Sequence, residues 1–416
     1  MKTLAGRWVA GWLCGVLLAP VALMAQPAKK GFVHTQGTAL VDGNGHPLLL
    51  RGINLGNWFE VEGYMFDLEG GPQSPREIED LTRELLGPAK AEQFWQQWRA
   101  NYITEADIDR IHAMGFNSVR VPLHWKFFTS DDSEGFKLLD QLVGWAKKDG
   151  IYVILDMHCA PGGQTGANID DSYGYPWLFV SPEAQQATAA EWRRIAQHYA
   201  KNPTVLGYDL LNEPIPQFPA LAPLRRELEP VYRRIAGAIR TVDRNHVLIL
   251  GGATWDTNFS VFGPPFDPNV MYTFHKYWTK TTDASVIQEY LDFRKQNKVP
   301  IWAGETGENT DAWVQGFRET LEANQVGWAF WTYKRMDAKP CVVTFDPPRH
   351  WDAIVAFAKL PRDMGDAEKR IAARPPQAEI NAAFDDLLQK IRFSSEHVNA
   401  GYVQALGLHA GTTGGE

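Results

Sequence analysis

An alternation running through nearly the whole chain constrains the fold more than any other feature. Short apolar or β-branched runs recur at Leu48–Leu55, Ser118–Pro122, Tyr152–Met157, Val205–Leu211, Val247–Leu250, Val270–Phe274, Val299–Gly304 and Gly327–Trp331. Between them lie stretches with a 3.6-residue apolar period: Glu105–Met114, Leu138–Lys148, Glu183–Ala200, Arg225–Thr241, Ala284–Asn297 and Ala312–Asn324. A strand apolar along its whole length has both faces covered, and strands joined through helices pair in parallel. Eight such units predict an α/β chain closed into a (β/α)8 TIM barrel. That fold can hold over 400 residues in one body, so the 416 residues require no second domain, and 26–409 is expected to be a single barrel domain. Gly31–His46, with Asp42-Gly43-Asn44-Gly45 as its turn, reads as an amino-terminal hairpin closing the barrel floor. Trp58–Tyr102 is too long for a simple loop after strand 1 and is expected to be a partly helical insertion at the mouth. Gln377–Ile391 reads as an additional outer helix, and 410–416 as a flexible tail.

The first 25 residues have a different character. Lys2 and Arg7 precede the charge-free apolar run Trp8–Ala25, the layout of a secretory signal peptide, which predicts a secreted or periplasmic protein. The run stands at the short edge of what spans a bilayer, so an uncleaved anchor is the alternative. Removing the run would leave Cys159 and Cys341, and the sequence does not decide whether they pair. A net charge of −8 without a basic run argues against nucleic acid and anionic lipid as partners, and no stable membrane insertion is expected after cleavage. With 44% hydrophobic residues, ample material exists for a core.

In a parallel barrel, reactive groups gather where strands end at the carboxyl face. Arg120 closes the second run, His158 the third, Asn212 and Glu213 the fourth, His275 and Tyr277 the sixth, Glu305 the seventh and Trp331 the eighth. Glu213 and Glu305 each follow an apolar strand directly. Cleaving a glycosidic bond needs one carboxyl to protonate the departing oxygen and another to attack or assist at the anomeric carbon, and this pair meets that need. A lone acid more often pairs with an arginine for structural reasons. Two glutamates at matching ends, beside His, Tyr and Trp, shift the balance toward chemistry. Asp156 and Asp209 precede strand ends and are expected to satisfy barrel-interior or loop donors rather than react. His112 reads as a surface or core residue, whereas His124 could reach the cleft. Trp58, Trp125, Trp177, Trp255 and Trp278 lie in carboxyl-face loops and are candidates for stacking on sugars. No histidine pair at i, i+4 and no acid cluster of ligand density supports a metal, and no cofactor is expected.

The strings Leu50-Arg51-Gly52-Ile53-Asn54-Leu55-Gly56-Asn57-Trp58, Gly115-Phe116-Asn117-Ser118-Val119-Arg120-Val121-Pro122, Leu155-Asp156-Met157-His158, Leu211-Asn212-Glu213-Pro214, His275-Lys276-Tyr277, Gly304-Glu305 and Gly327-Trp328-Ala329-Phe330-Trp331 together resemble glycoside hydrolase family 5, from about Leu48 to Asp337. The resemblance implies retaining cleavage of β-glucans, cellulose, mannans or related glycosides. It makes Glu213 the acid/base and Glu305 the nucleophile. It assigns Arg120 to holding Glu305 ionised and Asn212 to the hydroxyl beside the anomeric carbon. His158 and His275 would bind sugar hydroxyls or orient the acid, Tyr277 would lie beside Glu305, and Trp331, before a cis peptide, would floor the scissile sugar. Cys159 departs from the His or Gly that relatives often carry after the matching histidine. Trp58-Phe59-Glu60-Val61-Glu62-Gly63-Tyr64-Met65 resembles the exo-β-1,3-glucanase branch of the family, which implies that Glu62 binds hydroxyls of a terminal sugar. An endo-acting β-1,4-glucanase or mannanase is the alternative, and a non-catalytic carbohydrate-binding barrel or a metal-dependent barrel hydrolase is more remote.

Overall fold

A computed structural model describes residues 31–166 and 169–410. The expected signal peptide and nearly all of the expected tail lie outside the described residues. Eight strands form a closed, all-parallel barrel: β1 (Arg51–Asn54), β2 (Ser118–His124), β3 (Tyr152–Cys159), β4 (Val205–Asp209), β5 (Val247–Gly251), β6 (Val270–Tyr277), β7 (Ile301–Gly307) and β8 (Gly327–Phe330). Closure comes from β8, which pairs with β1 on one side (Trp328 with Arg51, Phe330 with Ile53) and with β7 on the other.

The apolar strands explain the core. Ile154, Leu206, Val247, Ile249, Met271, Trp302 and Ala329 from the barrel pack with Val33 and Leu40 of the hairpin, which plugs one end. The remaining strand positions share a much larger cluster with the surrounding helices and with the insertion, spanning Ile53 to Leu408.

Two expectations need correction, and a third element has no counterpart among them. The hairpin pairs His34–Gln36 with Ala39–Val41, so its tight turn is Gly37-Thr38. Gly37, at φ +59°, supplies the positive dihedral that a two-residue turn demands. Asp42–Gly45 forms a separate turn after the second strand, in which Asp42 Oδ1 accepts from the amides of Asn44 (2.8 Å) and His46 (2.9 Å).

Second, β2, β3, β6 and β7 run further toward the carboxyl face than their apolar runs, because ladder pairing continues through polar residues. Register shifts at Leu123/His124 and Phe274/His275 accompany this extension and re-aim the side chains beyond them. His158, His275, Tyr277 and Glu305 therefore sit inside the last residues of strands, while Asn212 and Glu213 lie beyond the end of β4.

Third, β8 is followed by a small sheet of Lys334–Met336, Val343–Phe345 and His397–Val398. Strands of three residues or fewer are too short for a periodicity to show.

The insertion is helical as expected, over Pro75–Leu86 and Pro88–Tyr102. Ser74 and Glu77 form a capping box at the first helix. The second buries Phe94, Trp95, Trp98 and Tyr102, and its Phe94 meets Phe384 of the outer helix Gln377–Lys390 edge-on at 5.0 Å. Among the described residues no helix is long and apolar enough to cross a membrane.

Candidate active site

The carboxyl end of the barrel is organised around Arg120 on β2, which is fully buried. Its Nε donates to Asp209 Oδ2 (2.9 Å), Nη1 to Asn54 Oδ1 (3.0 Å) and Glu305 Oε1 (2.5 Å), and Nη2 to Asn212 Oδ1 (2.9 Å), with Asp156 Oδ1 3.1 Å from Nη2. One guanidinium thus faces three carboxylates from β3, β4 and β7. The rigid planar fork of arginine suits such a hub. Burial pushes Asp156 and Asp209 up to about 7, against the pull of Arg120. As expected, these two aspartates serve the barrel interior. Arg120 itself is not on the cleft wall: it reaches the cleft only through Glu305 and Asn212.

Glu305 receives a second donor from Tyr277 Oη (3.1 Å), and its side chain stays 7% exposed to the cleft. Glu213 sits in a different environment. It follows β4 at φ +45°, directly before Pro214, and its amide donates to Asp256 Oδ2 (3.0 Å). Positive φ is uncommon for a residue with a side chain and marks a bend that its surroundings must hold. Burial pushes Glu213 up to about 7, partly offset by the Arg120 charge. His275 Nδ1 lies 3.0 Å from Glu213 Oε1 and 3.6 Å from Glu305 Oε2. One oxygen of each glutamate and a His275 nitrogen all lie within 4.8 Å of one another. Burial holds His275 down at about 3 and His158 at about 4, so both rings are neutral near pH 7. His158 Nδ1 bonds Asp156 Oδ2 (2.7 Å), which leaves Nε2 to accept from Asn212 Nδ2 (3.2 Å).

These groups open into a cleft of about 770 Å³ whose wall includes Glu62, His158, Asn212, Glu213, His275, Tyr277, Glu305 and Trp331. Every proposed site residue except Arg120 is therefore on that wall. The Trp331 ring stacks near His158 (5.6 Å between centroids, 16° apart) and its Nε1 donates to Tyr64 Oη (2.7 Å). The peptide after Trp331 is cis. Gly56 is required beneath it, since a Cβ there would lie 2.4 Å from the indole.

Of the loop tryptophans, Trp255 and Trp278 line the cleft, and Trp278 is 67% exposed. Trp58 does not: it is buried, donating from Nε1 to Arg99 O (2.7 Å) under the second insertion helix. Trp125 and Trp177 are also absent from the cleft wall. His124 is buried against Asp171 (2.8 Å) and does not reach the cleft. Cys159 and Cys341 are both buried and free.

The cleft also contains residues that sequence reasoning missed. Tyr64 and the ion pair Glu308–Arg335 (3.0 Å) complete one wall, and Asp256 stands behind Glu213 and His275. Glu308 follows Glu305 by three residues, just past the end of β7, a place in the sequence that could have signalled it. Arg335 belongs to the short sheet after β8 and gave no local signal. The structure also brings acids together at a density the sequence hid, with Glu60, Glu62 and His158 forming a second group within 4.8 Å.

Residues 84–337 match the cellulase family, glycosyl hydrolase family 5. The chain belongs to glycosyl hydrolase family 5. It is 32% identical over 255 residues to a β-xylosidase of Phanerodontia chrysosporium, covering 59% of this chain and 52% of that one. The chain thus spans about half the length of that relative. It is 27% identical over 331 residues to a probable glucan endo-1,6-β-glucosidase B of Aspergillus flavus, covering 68% and 83% respectively. Among solved structures, an endogalactoceramidase superposes with a TM-score of 0.59 at 18% identity, over 90% of this family 5 chain and 84% of the other. A rutinosidase from Aspergillus niger superposes with a TM-score of 0.56 at 20% identity, over 69% and 90%. These two likenesses concern the fold.

Proposed function

We propose that this family 5 glycoside hydrolase cleaves β-glucosidic bonds by a retaining double displacement, with Glu305 as nucleophile and Glu213 as acid/base. The observation that carries the reading is the closeness of the pair, with an oxygen of each within 4.8 Å. Retaining pairs stand about 5 to 5.5 Å apart, whereas inverting pairs leave about 6.5 to 9.5 Å for a water. The environments also divide the labour. Two donors, Arg120 Nη1 and Tyr277 Oη, fix the oxygens of Glu305 for attack at the anomeric carbon. Glu213, pushed up to about 7, holds a proton at the pH where the leaving oxygen needs one. The neutral ring of His275 lies between them, and Asn212, fixed by Arg120, offers its amide toward the sugar 2-hydroxyl. Trp331 supplies an apolar floor.

Exo action on a β-1,3-glucan is the finer proposal. Glu62 on the cleft wall, backed by the helical insertion, places an acceptor where a chain extended through that end would leave it unpaired. Secretion is proposed from the charge pattern of residues 1–25. Proton NMR of the first-formed sugar tests the mechanism: the β-anomer is expected from a β-glucan, and the α-anomer appearing first would overturn it. A panel of β-1,3-, β-1,4- and β-1,6-glucans, mannan and xylo-oligosaccharides tests the substrate. Glucose as the dominant early product from a β-1,3-glucan is expected, while an early ladder of oligomers would reject exo action.

A further inference from the structure

Glu60 is a buried carboxylate that the double displacement leaves unused. Its side chain is 0% exposed, and neither Oε1 nor Oε2 has a hydrogen-bond partner. One of its oxygens lies within 4.8 Å of a Glu62 oxygen and a His158 nitrogen, both on residues of the cleft wall that Glu60 does not itself reach. An ionised carboxylate removed from water without a donor is unstable, and it either neutralises or finds a cation. A metal is poorly served here. Both nitrogens of His158 are engaged, Nδ1 by Asp156 and Nε2 by Asn212, so two carboxylates would be the only protein ligands. A proton is the remaining solution. Two facing carboxyl groups titrate as a unit whose steps belong to the pair.

We propose that Glu60 is a positioning residue for the sugar that meets Glu62: a proton held between its carboxyl and that of Glu62 at neutral pH keeps the pair at a single negative charge and leaves Glu62 free to accept from the sugar hydroxyls. The proposal rests on the reading that Glu62 meets the non-reducing sugar. The groups facing Glu60 agree with it. Glu305, Asp156 and Asp171 are all acidic, and together with burial they hold Glu60 well above the usual carboxylate range. Asp171 is paired with His124. Glu62 is held up in the same direction by burial, and the charges of Glu60, Glu305, Glu308 and Glu213 add to that, Glu308 being paired with Arg335. The neighbouring Cys159 thiol and Tyr64 phenol are pushed up by burial and stay neutral. When the pair loses its proton, a second negative charge enters a dry wall. Substrate binding then weakens, while the step governed by Glu213 follows its own pH dependence.

KM and kcat measured between pH 5 and 9 on a β-1,3-linked glucose disaccharide test this in the full-length mature enzyme. For the unsubstituted enzyme KM is expected to rise on the alkaline side by about tenfold for each pH unit beyond the loss of the shared proton, the slope of a single ionisation. Glu60→Gln keeps a donor beside Glu62 and removes the second charge, so the KM rise should vanish while the alkaline limb of kcat persists. Superimposable KM profiles for the two proteins would overturn the proposal. Should Glu60→Gln fail to fold, Glu62→Gln at the cleft wall gives the same reading, and an alkaline KM rise that survives in it overturns the pairing. KM at pH 6 unchanged by Glu62→Ala would instead remove the reading that Glu62 meets the sugar. A KM lowered by added Ca2+ and restored by a chelator would put a cation where the proton is proposed, and would likewise overturn it.

Discussion

Two buried ionic clusters, one under the cleft and one on the far side of the insertion, make opposite use of the same chemistry. Under the cleft, Arg120 faces Asp156, Asp209 and Glu305. At the second, Lys334 and Arg110 face Asp107 and Glu396, so positive and negative charges match. Lys334 also donates to the carbonyls of Tyr102 and Ile391 (3.2 Å), and Tyr333 Oη donates to Asp107 Oδ1 (2.9 Å). This second cluster ties the segment after β8 to the helix Glu105–Met114 and to the chain near Glu396. A balanced buried network fastens elements together. An unbalanced one keeps carboxyl groups in a state that chemistry can use, because burial raises Asp156, Asp209 and Glu213 beyond what the single cation offsets.

The sharpest break in the comparison is Glu305→Ala, expected to lower kcat by about 10⁴-fold or more on both glucan and activated aryl glycosides. Calorimetry should show little change in Tm, since it relieves a crowded acid cluster. A large drop in Tm would mean that the carboxylate under the cleft fastens the fold as well.

Lys334→Met should do the reverse. It leaves buried Asp107 without a cation and Glu396 with Arg110 alone, a loss of about 3 to 5 kcal/mol in denaturant unfolding, with kcat of the folded enzyme retained. A stability change under about 1 kcal/mol would show that the two clusters differ less than their charges suggest.

Glu213→Ala separates the roles within the cleft. Loss on glucan is expected at about 10²- to 10⁴-fold, with bond cleavage preserved on an aryl glycoside whose leaving group departs without a proton. Equal losses on both substrates would contradict its assignment as acid.

The smallest effect concerns pH. Asp156 and Asp209 rise to about 7 on folding, above an unfolded value of about 3.9. Stability from these groups is therefore complete below about pH 4 and is lost as pH rises through about 7, where the folded state must give up protons it had retained. Asp209→Asn should flatten the fall of Tm between pH 5 and 8, and an unchanged slope would place the protons elsewhere.

The barrel and most of the cleft are legible in the amino-acid sequence, because both are written in short local strings. An apolar run followed by a polar residue at its carboxyl end needs no knowledge of distant partners, and that is how Glu213, Glu305, His158, His275, Tyr277 and Trp331 could be read. Only tertiary structure decided the rest, since contact there depends on residues far apart in the chain. Trp58 looked like a cleft residue until the helix Pro88–Tyr102 covered it. Arg335 reaches the cleft from a strand too short to carry a period. Glu396 belongs with Lys334 and Arg110 across long stretches of sequence. Burial also gave Glu213 and Glu60 properties that their residue type lacks: how far a carboxyl group is removed from water, and which charges then face it, is fixed only when the chain closes around it.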